Sequence, residues 1–111
     1  MRLKSAIWVA AFIRRCQVEG APAVVMRRGA EEAGAIFVVV DRLDGTNDLY
    51  GPAPQAEVPD DTAIDRLFQK VAEAEDGLAI SDRIARETRF DSDIWVVAVE
   101  NRAGRSFLDT V

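Results

Sequence analysis

The chain has 111 residues, of which 49% are hydrophobic and 30% charged, with a formal net charge of −5. That balance fits one folded domain, excludes a disordered tail and speaks against bulk nucleic-acid binding. There is no histidine and only one cysteine, Cys16, which removes Ser-His-Asp and Cys-His catalysis, an ordinary zinc site and any intramolecular disulfide.

The N-terminus, MRLKSAIWVAAFIRRC, imitates a secretory leader because basic residues precede an apolar stretch. Arg14 and Arg15 end that stretch, however, and no small-x-small cleavage site comes before Cys16. The segment reads as a helix instead. Ser5 is its expected cap, Val9, Phe12, Ile13 and Cys16 recur at helical spacing, and Gly20 and Pro22 close it. Over residues 1–28 six basic side chains face Glu19 alone, a local charge of +5 that leaves −10 on the remainder. Arg14 and Arg15 fall in the last turns, where they also meet the negative end of the helix dipole.

Ala23 to Arg28 reads as a short β-branched strand, and the glycine-bounded GAEEAG of residues 29–34 as a hairpin connection, with a short helical turn as the alternative. Ala35 to Asp41 (AIFVVVD) is the strongest strand, apolar enough to be buried on both faces. A turn over residues 42–47 leads to a short strand over Asp48 to Gly51, and prolines make residues 52–61 a loop. Residues 62–75 fit either a helix, through Ile64, Leu67, Phe68 and Val71, or a strand over Leu67 to Ala72. Ser81 opens a second helix with Ile84 and Ala85 inward, ended by Phe90 and Asp91. Ile94 to Glu100 (IWVVAVE) is a strand, and residues 101–105 turn it into a short terminal strand around Phe107 and Leu108. The expected fold is therefore α+β: one domain over 1–111, a mainly antiparallel sheet of about four to six strands, and two or three packed helices.

One heptapeptide nearly recurs, SAIWVAA at 5–11 and SDIWVVA at 92–98. Alanine favours helix in the first copy and the valine run favours strand in the second, so the echo is not a structural repeat. Trp8 and Trp95 suit either a core or an interface.

The segment Asp41-Arg42-Leu43-Asp44-Gly45-Thr46 resembles the Asp-Pro-Leu-Asp-Gly-Thr metal motif of inositol monophosphatases. Asp41 and Asp44 would bind a hard cation and the amides of Gly45 and Thr46 a phosphate, with Asp91 and Asp93 as further carboxylates. Arg42 replaces the motif's proline, and Pro52 and Pro54 leave no room for the helix that should follow. Leu43 to Asn47 is also good hairpin-turn chemistry, and the turn is the preferred reading.

The chain carries LKSAIWVAAFIRRC at 3–16, RRG at 27–29, LDGT at 43–46, LYGPAPQ at 49–55, RFDSDIWVV at 89–97 and NRAGR at 101–105. In these it resembles a family of short alphaproteobacterial proteins, about 110 residues long and of unknown function. The resemblance implies a self-sufficient cytoplasmic domain and transfers no catalytic residue. The expected role is a non-enzymatic interaction or self-associating module without a cofactor or metal, working as a homo-oligomer or with a protein partner away from membranes. Two other readings stand beside it. One is RNA binding through Arg14, Arg15, Arg27, Arg28 and a stacking Tyr50; the other is Mg²⁺-dependent phosphoester hydrolysis at Asp41 and Asp44.

Overall fold

The computed structural model describes residues 2–54 and 65–111. Helix α1 (Ser5–Val18) precedes strands β1 (Ala23–Arg27), β2 (Ile36–Asp41), β3 (Thr46–Pro52) and β4 (Phe68–Asp76). Helix α2 (Gly77–Phe90) and strand β5 (Trp95–Glu100) follow. The strands form one five-stranded sheet in the order β1-β5-β2-β3-β4. Only the central β2–β5 pair is parallel; the three other pairings are antiparallel.

Alternation along the central strands builds two separate cores, because neighbouring side chains point to opposite faces. Ile36, Val38, Val40, Trp95, Val97 and Val99 meet Trp8, Val9, Phe12 and Cys16 of α1. Phe37, Val39, Ile94 and Val96 meet Ile80 of α2, with Leu49 and Ala72 beside them. The sheet thus lies between the two helices, and the near-continuous apolarity of β2 and β5 reflects burial on both faces. Both tryptophans belong to this core. Trp95 is 1% exposed and its indole N–H donates to Ala30 O at 2.8 Å; Trp8 stacks on Phe12 with centroids 5.0 Å apart.

The 29–34 segment is not the hairpin expected from its glycines, because β5 lies between β1 and β2. It is a crossover pressed against the backbone of Asp93 and Ile94. A Cβ at Gly29 or Gly34 would run into Asp93 O, so these glycines serve close approach. Carbonyls of the same segment cap α1: Ser5 N and Ala6 N donate to Glu32 O and Glu31 O at 3.1 and 3.0 Å. Ser5 is accordingly the first helical residue and not the side-chain cap; its hydroxyl donates to Gly34 O at 2.6 Å. At the other end of α1, Gly20 takes φ +82° and closes the helix as expected.

Residues 68–76 resolve the helix-or-strand alternative as strand; residues 55–64, with most of the proline loop, lie outside the described residues. Helix α2 starts a turn earlier than Ser81 because the Asp76 carboxylate accepts from Ala79 N at 2.8 Å. Its inward residues are Ile80 and Ile84, whereas Ala85 is exposed. The terminal strand expected at Phe107 and Leu108 is replaced by an isolated parallel bridge between Thr110 and Phe68. Phe107 takes φ +62° and turns its ring into the α1-side core.

Candidate functional site

The acidic turn is built for closure. Asp41 Oδ1 accepts from Leu43 N at 2.8 Å, and Asp44 Oδ1 accepts from Thr46 N and Oγ1 at 2.9 and 2.6 Å. The Thr46 hydroxyl and amide hold the Asp44 carboxyl below its usual value. Strand β3 follows Gly45-Thr46, not a helix, so no helix N-terminus meets a phosphate there. Asp91 and Asp93 adjoin the first residues of β5, and Asp41 pairs with Glu100 at its end. The two acidic pairs therefore sit a strand length apart, about 17 Å. Among the described residues no group of three or more His, Cys, Asp or Glu side chains converges on a metal position.

Two buried charges escaped the sequence reading. Asp48 is 0% exposed. Its Oδ2 accepts from Arg42 Nε and Nη2 at 3.1 and 2.7 Å, and its Oδ1 from Ala74 N at 2.8 Å. Ala74 has φ +50° and sits where the β3–β4 register shifts. The carboxylate thus braces a β-bulge and leaves no oxygen free for chemistry. The Asp48 hydrogen bonds raise the Arg42 pKa above its usual value. Arg66, 7% exposed, donates to Leu3 O and Ser5 Oγ at 3.0 and 3.2 Å. Its Nε faces Asp65 Oδ2 at 3.5 Å, and burial draws its pKa down. Together these contacts tie the segment before β4 to the start of α1. A lone Asp inside a strand or an Arg before one carries no period or spacing that would announce burial.

The four arginines and Tyr50 do not form one surface. Arg14 and Arg15 are exposed near the end of α1. Arg27 and Arg28 lie at the far end of β1, roughly 15 Å along the strand, and both fold back onto their own chain. Arg27 Nη1 donates to Ile94 O at 2.7 Å, and the Arg28 guanidinium lies 5.1 Å over the Trp95 ring. Tyr50 is a correction to the expected surface: it is 6% exposed and packed in the α1-side core, with no free face for a base. Cys16 is fully buried. Burial pushes its thiol up to about 11 despite the nearby Arg15 charge.

The two sheet edges differ. The outer edge of β4 is closed at Phe68, whose N–H donates to Asp109 O and whose O accepts from Val111 N, both at 2.9 Å. Farther along it carries Lys70, Glu73, Glu75 and Asp76, charges that discourage another strand. The outer edge of β1 has no such cover among the described residues. Glu100 N donates to Pro22 O at 2.9 Å, so by antiparallel alternation Val24 bonds inward while Ala23 and Val25 direct their backbone groups outward. Ala23 and Val25 pack on the α1 side. Val24 and Met26, each 60% exposed, point to the other face, where α2 lies over β3 and β4. The open edge therefore reads Ala-Val-Val-Met, followed by Arg27, bonded to Ile94 O, and Arg28, exposed with its guanidinium over Trp95.

A family model described as a protein of unknown function, DUF1491, matches residues 3–109. The chain belongs to the DUF1491 family. A solution structure of a protein from A. tumefaciens is 43% identical, with TM-score 0.85, covering 100% of this chain and 96% of that one. A crystal structure of a DUF1491 family protein from Caulobacter crescentus is 37% identical, with TM-score 0.80, covering 100% and 99%. An NMR structure from the same organism gives 37% and 0.79, covering 100% and 98%. No curated protein matches the sequence. The alphaproteobacterial family expected from the motifs is thus the DUF1491 family, and the described residues have the expected α+β fold. No helix among the described residues is long and apolar enough to cross a membrane.

Proposed function

We propose that this DUF1491 protein is a non-enzymatic interaction module that docks an extended strand along the outer edge of β1. The observation that carries the reading is the difference between the two edges. β4 is covered and charged, whereas β1 offers outward backbone groups beside exposed Val24 and Met26. Of the charges at its end, Arg27 donates to Ile94 O, and Arg28, though exposed, lies over the Trp95 ring. Strand addition to such an edge draws affinity from main-chain hydrogen bonds and selectivity from alternate side chains. The absence of histidine, the turn bonds accepted by Asp41 and Asp44 and the fully engaged carboxylate of Asp48 favour reading the acidic turn as structure.

Titration of ¹⁵N-labelled protein with a panel of seven-residue Val-, Ile- and Thr-rich peptides tests this. Shift changes centred on residues 23–27 and on Ala98 are expected. Saturating peptide that leaves those amides unmoved, or that moves another surface instead, refutes the reading.

A further inference from the structure

We infer that residues 109–111 form a detachable strap, hinged after Leu108, that opens independently of the sheet and governs access to the start of β4 and to the cavity beside it. The inference goes beyond the β1 reading and does not depend on it.

The hinge lies where the anchors stop. Ser106 and Phe107 are buried, and Leu108 packs half-buried against the α1-side core. The Arg105 guanidinium lies 4.3 Å over the Phe107 ring and donates to Glu19 Oε2 at 2.7 Å, which ties this stretch to the end of α1. Asp109, Thr110 and Val111 are all exposed. Among the described residues two backbone hydrogen bonds hold them, from Phe68 N to Asp109 O and from Val111 N to Phe68 O, both at 2.9 Å. The bridge of Thr110 to Phe68 stands alone, whereas every pairing between the named strands joins four or more residues in register. Opening the strap thus uncovers no buried side chain of its own. It gives up two hydrogen bonds and frees the backbone of three residues, terms of similar size and opposite sign. A segment so held opens while the rest of the sheet stays closed.

Closed, the strap supplies partners for the outward N–H and C=O of Phe68. Asp109 also lines, with Leu3, Trp8, Arg15, Asp65 and Arg66, a cavity of about 300 Å³ under the flank of α1. Open, it leaves the Phe68 backbone groups unpaired and withdraws the Asp109 carboxylate from that wall. The lining then holds Arg15 and Arg66 against Asp65 alone, so an even charge balance becomes an excess of one cation. Lys70, Glu73, Glu75 and Asp76 still guard the edge farther along. The strap therefore controls the first residue of β4 and the cavity, not the whole edge.

Amide hydrogen exchange of the ¹⁵N-labelled protein, read by NMR, tests the inference. Phe68 and Gln69 are neighbours with opposite partners. Phe68 N meets the strap, whereas alternation from the Ala53 N to Leu67 O bond turns Gln69 inward to Gly51. Phe68 and Val111 should exchange at least about a hundredfold faster than Gln69. Val111→Pro removes the N–H that Phe68 O accepts and should speed Phe68 by about a further fivefold, with Gln69 and Val97 unchanged. Val111→Ala keeps that N–H and should change none of the three. Phe68 exchanging within about threefold of Gln69 overturns the inference, because the strap then opens only with the sheet. So does a Val111→Pro protein in which Phe68 fails to quicken, or in which Gln69 and Val97 quicken as much. Equal quickening of Phe68 by Val111→Ala also overturns it, since the backbone bonds are then not what holds the strap. The β1 reading is decided by its own peptide titration, which none of these outcomes touches.

Discussion

Gly34 offers a measurement of how much the crossover between β1 and β2 contributes to folding. No positive φ is recorded for it, so an alanine there meets a steric problem alone. Its methyl would overlap Asp93 O and come within 3.0 Å of Ala30 N and O, all of them backbone atoms that no rotamer change can move. Relief needs a loop displacement on the order of 1 Å, since ordinary carbon contacts begin near 3.5 Å. Three sets of bonds depend on the loop's present position. They are Ser5 Oγ to Gly34 O at 2.6 Å, the α1 amides to Glu31 O and Glu32 O, and Trp95 Nε1 to Ala30 O at 2.8 Å. Losing the equivalent of two or three at about 1 kcal/mol each gives a cost of about 3 kcal/mol, or roughly 12 °C in Tm for a domain of this size. Urea unfolding followed by tryptophan fluorescence measures it, with Gly20→Ala as the comparison. Gly20 has φ +82° and nothing within 4 Å of an added Cβ, so that change should cost only about 1 kcal/mol. A Gly34→Ala protein no less stable than Gly20→Ala would refute the close-approach account.

Asp48→Ala strands Ala74 N inside a bulge and frees Arg42; urea unfolding should show a loss of about 3 kcal/mol. Adding Arg42→Ala in that background should change little, because their effects are coupled. Asp76→Ala removes the α2 cap and should lower stability by about 1 kcal/mol, with amide exchange rising first over residues 77–80. The Cys16 thiol, raised from an ordinary 9.0 to about 11, binds fewer protons in the unfolded chain than in the folded one above pH 9. Its contribution is therefore whole below pH 9 and is lost as pH rises toward 11. Cys16→Ala should flatten that part of a stability–pH curve, and the wild-type thiol should resist a disulfide reagent at pH 8 until the protein unfolds.

The strands β2 and β5 and the helix α1 were legible because burial imposes a period that survives in one dimension. Continuous Val and Ile runs mark strands covered on both sides, and Trp8, Val9, Phe12 and Cys16 mark one helical face. Turn chemistry at Asp44 and Gly45 was equally local, since the carboxylate bonds to Thr46 two residues on. Misreadings arose where the cause lies far along the chain. Gly29 and Gly34 looked like hairpin ends, yet the atoms that require them belong to Asp93 and Ile94. The near-identical heptapeptides at 5–11 and 92–98, by contrast, go to a helix and, from Trp95 on, a strand as their alanine and valine contents favour.

Candidate sites followed that pattern. Composition alone excludes histidine chemistry and disulfides, and alternation alone implies a sheet buried on two faces. Which charges are buried, which edge is open and which arginines are spent were all decided by three-dimensional neighbours. Asp48 meets Arg42 and the Ala74 amide across a bulge, and the residues after Asp109 close β4 but not β1. Hydrophobic period is a property of each segment and is written locally. The desolvation of a charge or the capping of an edge belongs to segments that only folding brings together.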